Sequence, residues 1–277
     1  MLFLIIFFVA LLIIIALLYL YAIMPGVDRK RRGQFGDFAT VYYAHRGLHV
    51  TPGDAPENSI AAFTLAADQG FGIELDIQLC KDGQVVVFHD ETLERICGVT
   101  GRLLDFSYEE LSEFTLCGTQ EKIPLLKDVL DLVAGRVPLI IEYKIVDGDM
   151  TVCALGDALL RQYQGAYCIE SFHPFALRWY RKNHPAVIRG QLADRFTAKS
   201  EYRHLKYWLL QNLLLNFLTR PDFIAFNHEH RKMWSRSLCQ KLWRNPAVAW
   251  TLYQPEELTQ AKKHFDWFIF EGFAPLP

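Results

Sequence analysis

Apolar and polar positions divide this chain into two unlike parts. From Met1 to Met24 no Asp, Glu, Lys or Arg interrupts an apolar run. As a helix rising ~1.5 Å per residue the run would reach about 36 Å, enough to cross a hydrocarbon core of about 30 Å with some tilt. Beyond it the pattern shortens into β-rich runs separated by longer stretches of helical periodicity. The runs are Val41–Ala44, Gly72–Leu79, Gln84–His89, Val137–Tyr143, Tyr167–Ser171, Val187–Leu192, Asp222–Phe226, Ala247–Leu252 and Trp267–Phe270. Such alternation is the sequence form of a parallel α/β fold. Nine runs are one more than a closed eight-stranded barrel needs. The second and third are joined only by Cys80-Lys81-Asp82-Gly83, too short for a parallel crossover of about a dozen residues, and Asp-Gly favours a type I′ hairpin. With the hairpin strand set aside, eight parallel candidates remain. They predict a TIM (β/α)8 barrel over residues 41–277, with 90–123 as a small insertion over the mouth, ahead of a helix at Leu125–Val133.

The flanks of the first run read as a membrane anchor that is retained. A cleaved signal has a basic n-region, a shorter apolar run and a small-residue site; here nothing basic precedes the run, and Tyr19, Tyr21 and Pro25 close it. Residues 25–40 form a basic juxtamembrane linker with the cluster Asp28-Arg29-Lys30-Arg31-Arg32. Positive charge is kept on the cytoplasmic side, so the bulk of a single-pass cell-membrane protein is expected in the cytoplasm.

Composition sharpens this division. The 29 basic and 31 acidic residues all lie after Met24, a charge density ordinary for a folded soluble domain and incompatible with disorder. No other window is apolar enough for a second span, which excludes a polytopic transporter. A net charge of −2 offers no general basic surface for nucleic acid. The six cysteines form no Cys-x-x-Cys pair and are too sparse for a disulfide scaffold, so zinc is not expected.

Two strands carry charges that an apolar strand should not. In Ile73-Glu74-Leu75-Asp76-Ile77 the carboxylates share one face by the period of two, and burying them is costly unless something neutralises them. A two-residue Asp82-Gly83 turn would pair Lys81 with Gln84 and Asp76 with His89, bringing Glu74, Asp76 and His89 into one volume. The run Leu139-Ile140-Ile141-Glu142-Tyr143-Lys144 repeats the oddity, with Glu142 and Lys144 on one face. Taken singly, these features also fit a solvated acidic face, a terminal salt bridge and a core histidine.

Six segments in register narrow the choice: Ala44-His45-Arg46-Gly47, Pro56-Glu57-Asn58-Ser59, Ile73-Glu74-Leu75-Asp76, Lys81-Asp82-Gly83, Val86-Val87-Phe88-His89-Asp90 and Ile141-Glu142-Tyr143-Lys144. Together they closely resemble the glycerophosphodiester phosphodiesterase family of metal-dependent TIM-barrel enzymes. The likeness thins after Glu142 but continues in Ser171-Phe172-His173 and Trp250-Thr251. The resemblance implies that Glu74, Asp76 and Glu142 hold one divalent cation, Mg²⁺ or Ca²⁺, that His45 and His89 are general acid and base, and that Arg46 and Lys144 bind phosphate oxygens. With a divalent ion and a diester bound, the formal charges of those three carboxylates, Arg46 and Lys144 balance. Imidazole suits both proton transfers near neutral pH. Which histidine plays which part is open, as is whether the nucleophile is water or a glycerol hydroxyl.

Around this set the sequence leaves alternatives. Glu57 and Asn58 either shape a helix start after Pro56 or orient Arg46. His173 is a further pocket candidate, and Phe172 and Trp250 suit either a pocket wall or barrel packing. Cys80 stands where the family commonly has Thr. Glu271, in Phe270-Glu271-Gly272-Phe273-Ala274-Pro275 where Thr-Asp-x-Pro is common, contacts substrate or closes a salt bridge. The apolar stretch within Lys199–Leu218 is an outer barrel helix or a second contact with the bilayer near Trp208. The function expected is hydrolysis of glycerophosphodiesters to glycerol phosphate and an alcohol, beside a membrane and without nucleic acid. A lysophospholipase D acting on lysophospholipids and a non-catalytic binding barrel are the alternatives, and intact candidates at all seven core positions speak against the second.

Overall fold

Eight parallel strands close on themselves: β1 (Tyr43–Ala44), β2 (Gly72–Leu79), β4 (Leu139–Tyr143), β5 (Tyr167–Ser171), β6 (Arg189–Ala193), β7 (Phe223–Asn227), β8 (Ala247–Leu252) and β9 (Trp267–Phe270). The pairing of β1 with both β2 and β9 seals the ring. β3 (Val85–Val87) is the extra strand, antiparallel on β2. The structure, a computed structural model, describes residues 1–26, 35–50 and 52–275. The basic cluster at Arg29–Arg32 lies outside the described residues.

All nine expected strands are present, but the hairpin is in a different register. Ile77 pairs with Val87 and Leu79 with Val85, and the amide of Phe88 donates to the Asp76 carbonyl (3.0 Å). Asp76 therefore faces Phe88, not His89. The turn is a three-residue loop, Lys81-Asp82-Gly83, closed by the Cys80 amide on the Gln84 carbonyl (3.1 Å), with Gly83 at φ +79°. A left-handed glycine at the end of a three-residue loop is a common hairpin solution, and the Asp82 side chain secures it by accepting from Cys80 Sγ (2.9 Å) and the Tyr108 amide (3.1 Å). Phe88 is thereby sent into a satellite core with Leu93, Ile96, Leu103, Leu111 and Ile123 of the insertion.

The helices follow from local pattern and caps. Ser59 accepts from the Ala62 amide (3.1 Å) to start Ile60–Asp68, which buries Ala62, Phe63, Ala66 and Ala67 on one face. Leu126–Val133 buries positions 126, 129, 130 and 133 in the same way. The stretch expected as one outer helix near Trp208 is broken: Leu205–Gln211 and Asn216–Thr219 are separate, with Leu213 between them at φ +58°.

Inside the barrel the lower layer is apolar. Tyr43, Ile140, Cys168, Phe223, Val248 and Trp267 fill it, and Gly190 leaves the space that the Phe223 ring occupies, where a Cβ would collide with it. Part of the expected linker closes the bottom. Helix Gly36–Ala39 is preceded by Phe35, and because positions 35 and 38 share a face, their rings meet Trp267 at 5.8 and 5.7 Å. An apolar floor makes the strands' C-terminal ends the one place where inward side chains turn polar, which is where sites on this fold form.

The N-terminal helix, Leu2–Ile23, is long and apolar enough to cross a membrane. Its last turn is built into the barrel. Ile23 is fully buried in the main core, its carbonyl accepts from Asn216 Nδ2 (2.9 Å) and Cys239 Sγ (3.2 Å), and the Met24 carbonyl accepts from Arg220 (2.8 Å).

Candidate active site

The alternation of β2 and β4 turns Glu74, Asp76 and Glu142 into the barrel, where all three are buried and offer oxygens within 4.8 Å of one another. Lys144, one step past β4, bridges them: its Nζ lies 2.9 Å from Asp76 Oδ1 and 2.7 Å from Glu142 Oε1. Arg46 follows β1 with a left-handed backbone (φ +55°), ahead of Gly47 at φ +83°. That turn aims the Arg46 amide at Glu74 Oε2 (3.1 Å) and its guanidinium at Asp76 (3.5 Å) and Glu57 (2.6 Å). Asn58 donates to Asp76 Oδ2 (2.9 Å). Glu57 thus holds Arg46, while Asn58 holds a carboxylate.

Each histidine has a carboxylate on its Nδ1. His45 meets Glu271 Oε2 at 2.6 Å, which leaves Nε2 facing Glu74 at 3.9 Å. Glu271 therefore closes an ion-pair network, which His49 joins at 3.5 Å. His89, just past β3, meets Asp90 Oδ1 at 2.6 Å. Asp90 is gripped by Arg95 (2.6 and 2.9 Å), and Arg95 makes two 2.8 Å bonds to Glu57. A continuous chain of charge-assisted bonds runs from His89 through Asp90, Arg95 and Glu57 to Arg46. His89 borders the same cavity as Glu142 and Lys144.

Asp90, Arg95 and His49 were given no role from sequence. Arg95 and His49 had no local signal, while Asp90 stands beside a candidate histidine. Glu170 had one and was passed over: Tyr167-Cys168-Ile169-Glu170-Ser171 repeats the buried-charge oddity of β4, and Glu170 pairs with Glu142 across the ladder. It is 1% exposed, and its Oε2 has no hydrogen-bond partner.

Burial and mutual repulsion set the carboxylates apart. Burial, then the charges of Asp76, Glu170 and Glu142, push Glu74 well above the usual carboxylate range. Burial acts upward on Asp76 too, but Lys144, His89 and Arg46 outweigh it and hold Asp76 well below that range. Burial keeps Glu142 raised despite Lys144. Glu170 is raised well above by burial, then by Glu142 and Asp76. Burial would lower Lys144, but Asp76 and Glu142 keep it above its ordinary value. His45 is pulled down by burial against the Glu271 hydrogen bond. Three converging carboxylates, with the unpartnered Glu170 oxygen beside them, form an oxygen-rich donor set that suits a hard divalent cation.

The remaining candidates line the far wall. Phe172 packs edge-on against Trp250 (5.6 Å) and Phe196 (5.8 Å). His173 sits beside Phe175 (5.6 Å), and burial lowers it. Beyond them a cavity of about 530 Å³ extends from His89, Glu142 and Lys144 to Tyr207, Leu210 and Leu215.

Comparison with known proteins agrees with this geometry. The model of the glycerophosphoryl diester phosphodiesterase family matches residues 45–232. A glycerophosphodiester phosphodiesterase of Caldanaerobacter subterraneus subsp. tengcongensis is 34% identical over 165 residues, 55% of this chain and 66% of that protein. One from Bacillus altitudinis is 34% identical over 161 residues, 53% and 64% of the two chains. The match thus spans just under two thirds of these relatives' own length. In fold, the chain resembles an Oleispira antarctica phosphodiesterase solved with the product sn-glycerol-3-phosphate, with TM-score 0.70, 22% identity and coverage of 86% of this chain and 94% of that one. Because the family model covers well over half of the chain, this protein belongs to the glycerophosphoryl diester phosphodiesterase family.

Proposed function

We propose that the protein hydrolyses glycerophosphodiesters to glycerol phosphate and an alcohol. The observation that carries this reading is the convergence of three buried carboxylates, two cations and two carboxylate-paired histidines at the mouth of one barrel. Glu74, Asp76 and Glu142 would hold a divalent cation, Mg²⁺ or Ca²⁺, which when bound polarises the phosphoryl oxygens. Arg46 and Lys144 neutralise the diester's charge. Glu271 and Asp90 fix their histidines so that the Nε2 atoms serve the reaction, one accepting a proton from the nucleophile and the other protonating the leaving alkoxide as its bond to phosphorus breaks. The sequence expectations for these residues thus become a set of roles, each testable by substitution.

The cavity favours a second reading, lysophospholipase D, in which the alcohol is a head group and the glycerol still carries an acyl chain. Phe172, Ile145, Leu209, Leu210 and Leu215 give the cavity an apolar wall continuous with Glu142 and Lys144. Product analysis separates the two. Glycerophosphocholine yielding choline and glycerol phosphate supports the first reading, and faster release of choline from lysophosphatidylcholine supports the second. Failure to hydrolyse either overturns both.

We further read Leu2–Ile23 as a retained membrane span with the barrel in the cytoplasm. Burial of Ile23 in the barrel core supports retention, because cleavage after the helix would empty that position. The basic cluster after the helix supports the orientation. A dark C-terminal fluorescent fusion with an active C-terminal alkaline phosphatase fusion would reverse it.

A further inference from the structure

Large apolar side chains left in water are unevenly placed on this barrel. Among the described residues, nine are exposed outside the N-terminal helix. Six of them stand at the C-terminal ends of the strands: Val50, Phe175, Leu205, Trp208, Trp234 and Tyr253. Five of those six follow β5, β6, β7 and β8, which are consecutive around the ring. The opposite arc, where β2, β3 and β4 carry the charged site and the insertion, has none.

The N-terminal helix docks at the middle of the same arc. Its end is held at the foot of β7, where the Gly26 amide donates to the Pro221 carbonyl (2.8 Å) and Arg220 donates to the Met24 carbonyl (2.8 Å). One to two turns earlier, Tyr19 and Leu20 still pack on the barrel's outer layer, so from its foot the helix runs along the barrel wall between the helices that follow β6 and β7. Cys239 Sγ marks the level of the Ile23 carbonyl. Five residues back from Cys239 is Trp234, and five back from Ile23 is Leu18, the last residue of an exposed stretch that starts at Met1. Those 18 residues span about 27 Å as a helix, close to a hydrocarbon thickness. The helix thus turns apolar and unpartnered at the height of the rim's own exposed aromatic.

We propose that the β5–β8 side of the barrel mouth is seated in the interface of the bilayer that the N-terminal helix crosses, with Leu205, Trp208 and Trp234 as its insertion points. This rests on the reading of Leu2–Ile23 as a retained span. Tryptophan and leucine flanked by exposed Arg203, Lys206 and Lys232 are the composition of an interfacial surface, where rings sit at head-group depth and cations meet lipid phosphates. A patch of this kind on a freely soluble face is a liability, whereas beside a membrane span it lies against lipid. The cavity lined by Lys206, Tyr207, Leu209 and Leu210 is continuous with Glu142 and Lys144, so a seated mouth would bring lipid next to the charged site.

The test uses the full chain reconstituted in vesicles of phosphatidylcholine brominated near the glycerol end of the acyl chains. The N-terminal helix contains no tryptophan, and the chain has six. With two of the six in the interface, emission falls by up to about a third relative to unbrominated vesicles, and Trp208→Phe with Trp234→Phe abolishes that fall. Co-flotation with vesicles but equal emission in both lipids overturns the seating while the span stands. Failure to float overturns both. Both rings are exposed, 48% and 71%, so their replacement leaves the core intact, and unchanged far-ultraviolet circular dichroism of the double variant checks its folding.

Discussion

The two arcs of the barrel mouth are built from opposite materials. On the side of β1, β2 and β4, side chains are charged and paired: two histidines, each on a carboxylate, and a relay from His89 to Arg46 through Asp90, Arg95 and Glu57. On the side of β5 to β8 the wall is largely apolar, from Phe172 against Trp250 out to Trp208 in the solvent, although His230 there meets Asp194 at 2.7 Å. Glu170 on β5 adds a buried carboxylate beside Glu142. The difference separates two tasks that a phosphodiesterase of lipid-derived substrates must perform. In the proposed reaction the polar, preorganised arc would hold the anion and move protons, and the apolar arc would meet whatever the leaving alcohol or the glycerol carries.

Substitutions that break the charged arc should have the largest effect. Glu142→Ala removes a proposed cation ligand and one of the two partners of Lys144, and hydrolysis of glycerophosphocholine should fall by about a thousandfold, the several kcal/mol that a bound cation supplies. Unchanged turnover would dismiss the site assignment. Glu271→Gln leaves shape intact but removes the charge on His45, so kcat should fall roughly tenfold to a hundredfold. The sign of its pH effect follows from the structure: the Glu271 bond opposes burial, so without it the limb of the pH–rate profile set by His45 moves to lower pH.

On the apolar arc, Leu210→Trp narrows the cavity. It should raise KM for lysophosphatidylcholine about tenfold relative to KM for glycerophosphocholine, about 1.4 kcal/mol of lost apolar contact. Equal effects on both substrates would remove the distinction between the arcs. The smallest effect concerns stability. Asp90 is held well below the usual range by its bonds to His89 and Arg95, against burial. A depressed carboxylate stabilises above its unfolded pKa and loses that contribution as pH falls through the folded one. Asp90→Asn should therefore lower Tm by about 2–4 °C at neutral pH, with the gap between variant and parent closing in strong acid.

Much of the charged arc was legible because buried charge is conspicuous in an apolar strand. Glu74, Asp76 and Glu142 stand out against Ile73, Leu75 and Ile141, and strand periodicity alone places them on one face. Glu170 carried the same mark on a strand where no second charge drew attention to it. The hairpin register differs by one from the one the sequence suggests because Asp-Gly suits both a two-residue and a three-residue loop, and the packing of Phe88 on the insertion distinguishes them. The Arg95–Glu57 bond joins residues 38 positions apart, and no local pattern encodes such a pairing. The docking of the N-terminal helix was hidden for another reason. Ile23 in a protein core and Ile14 in a span have the same hydropathy, so composition cannot tell a packed turn from a lipid-facing one. Phe35 and Phe38 escaped in a similar way, as two aromatics in a stretch that otherwise reads as a linker.

Metal dependence of glycerophosphodiester hydrolysis is the most direct test of the central claim, because the carboxylate cluster is the feature on which every other role depends. The purified full-length protein should release choline and glycerol phosphate from glycerophosphocholine, lose that activity on exhaustive chelation and regain it with Mg²⁺ or Ca²⁺. Hydrolysis that persists undiminished after chelation would contradict the account.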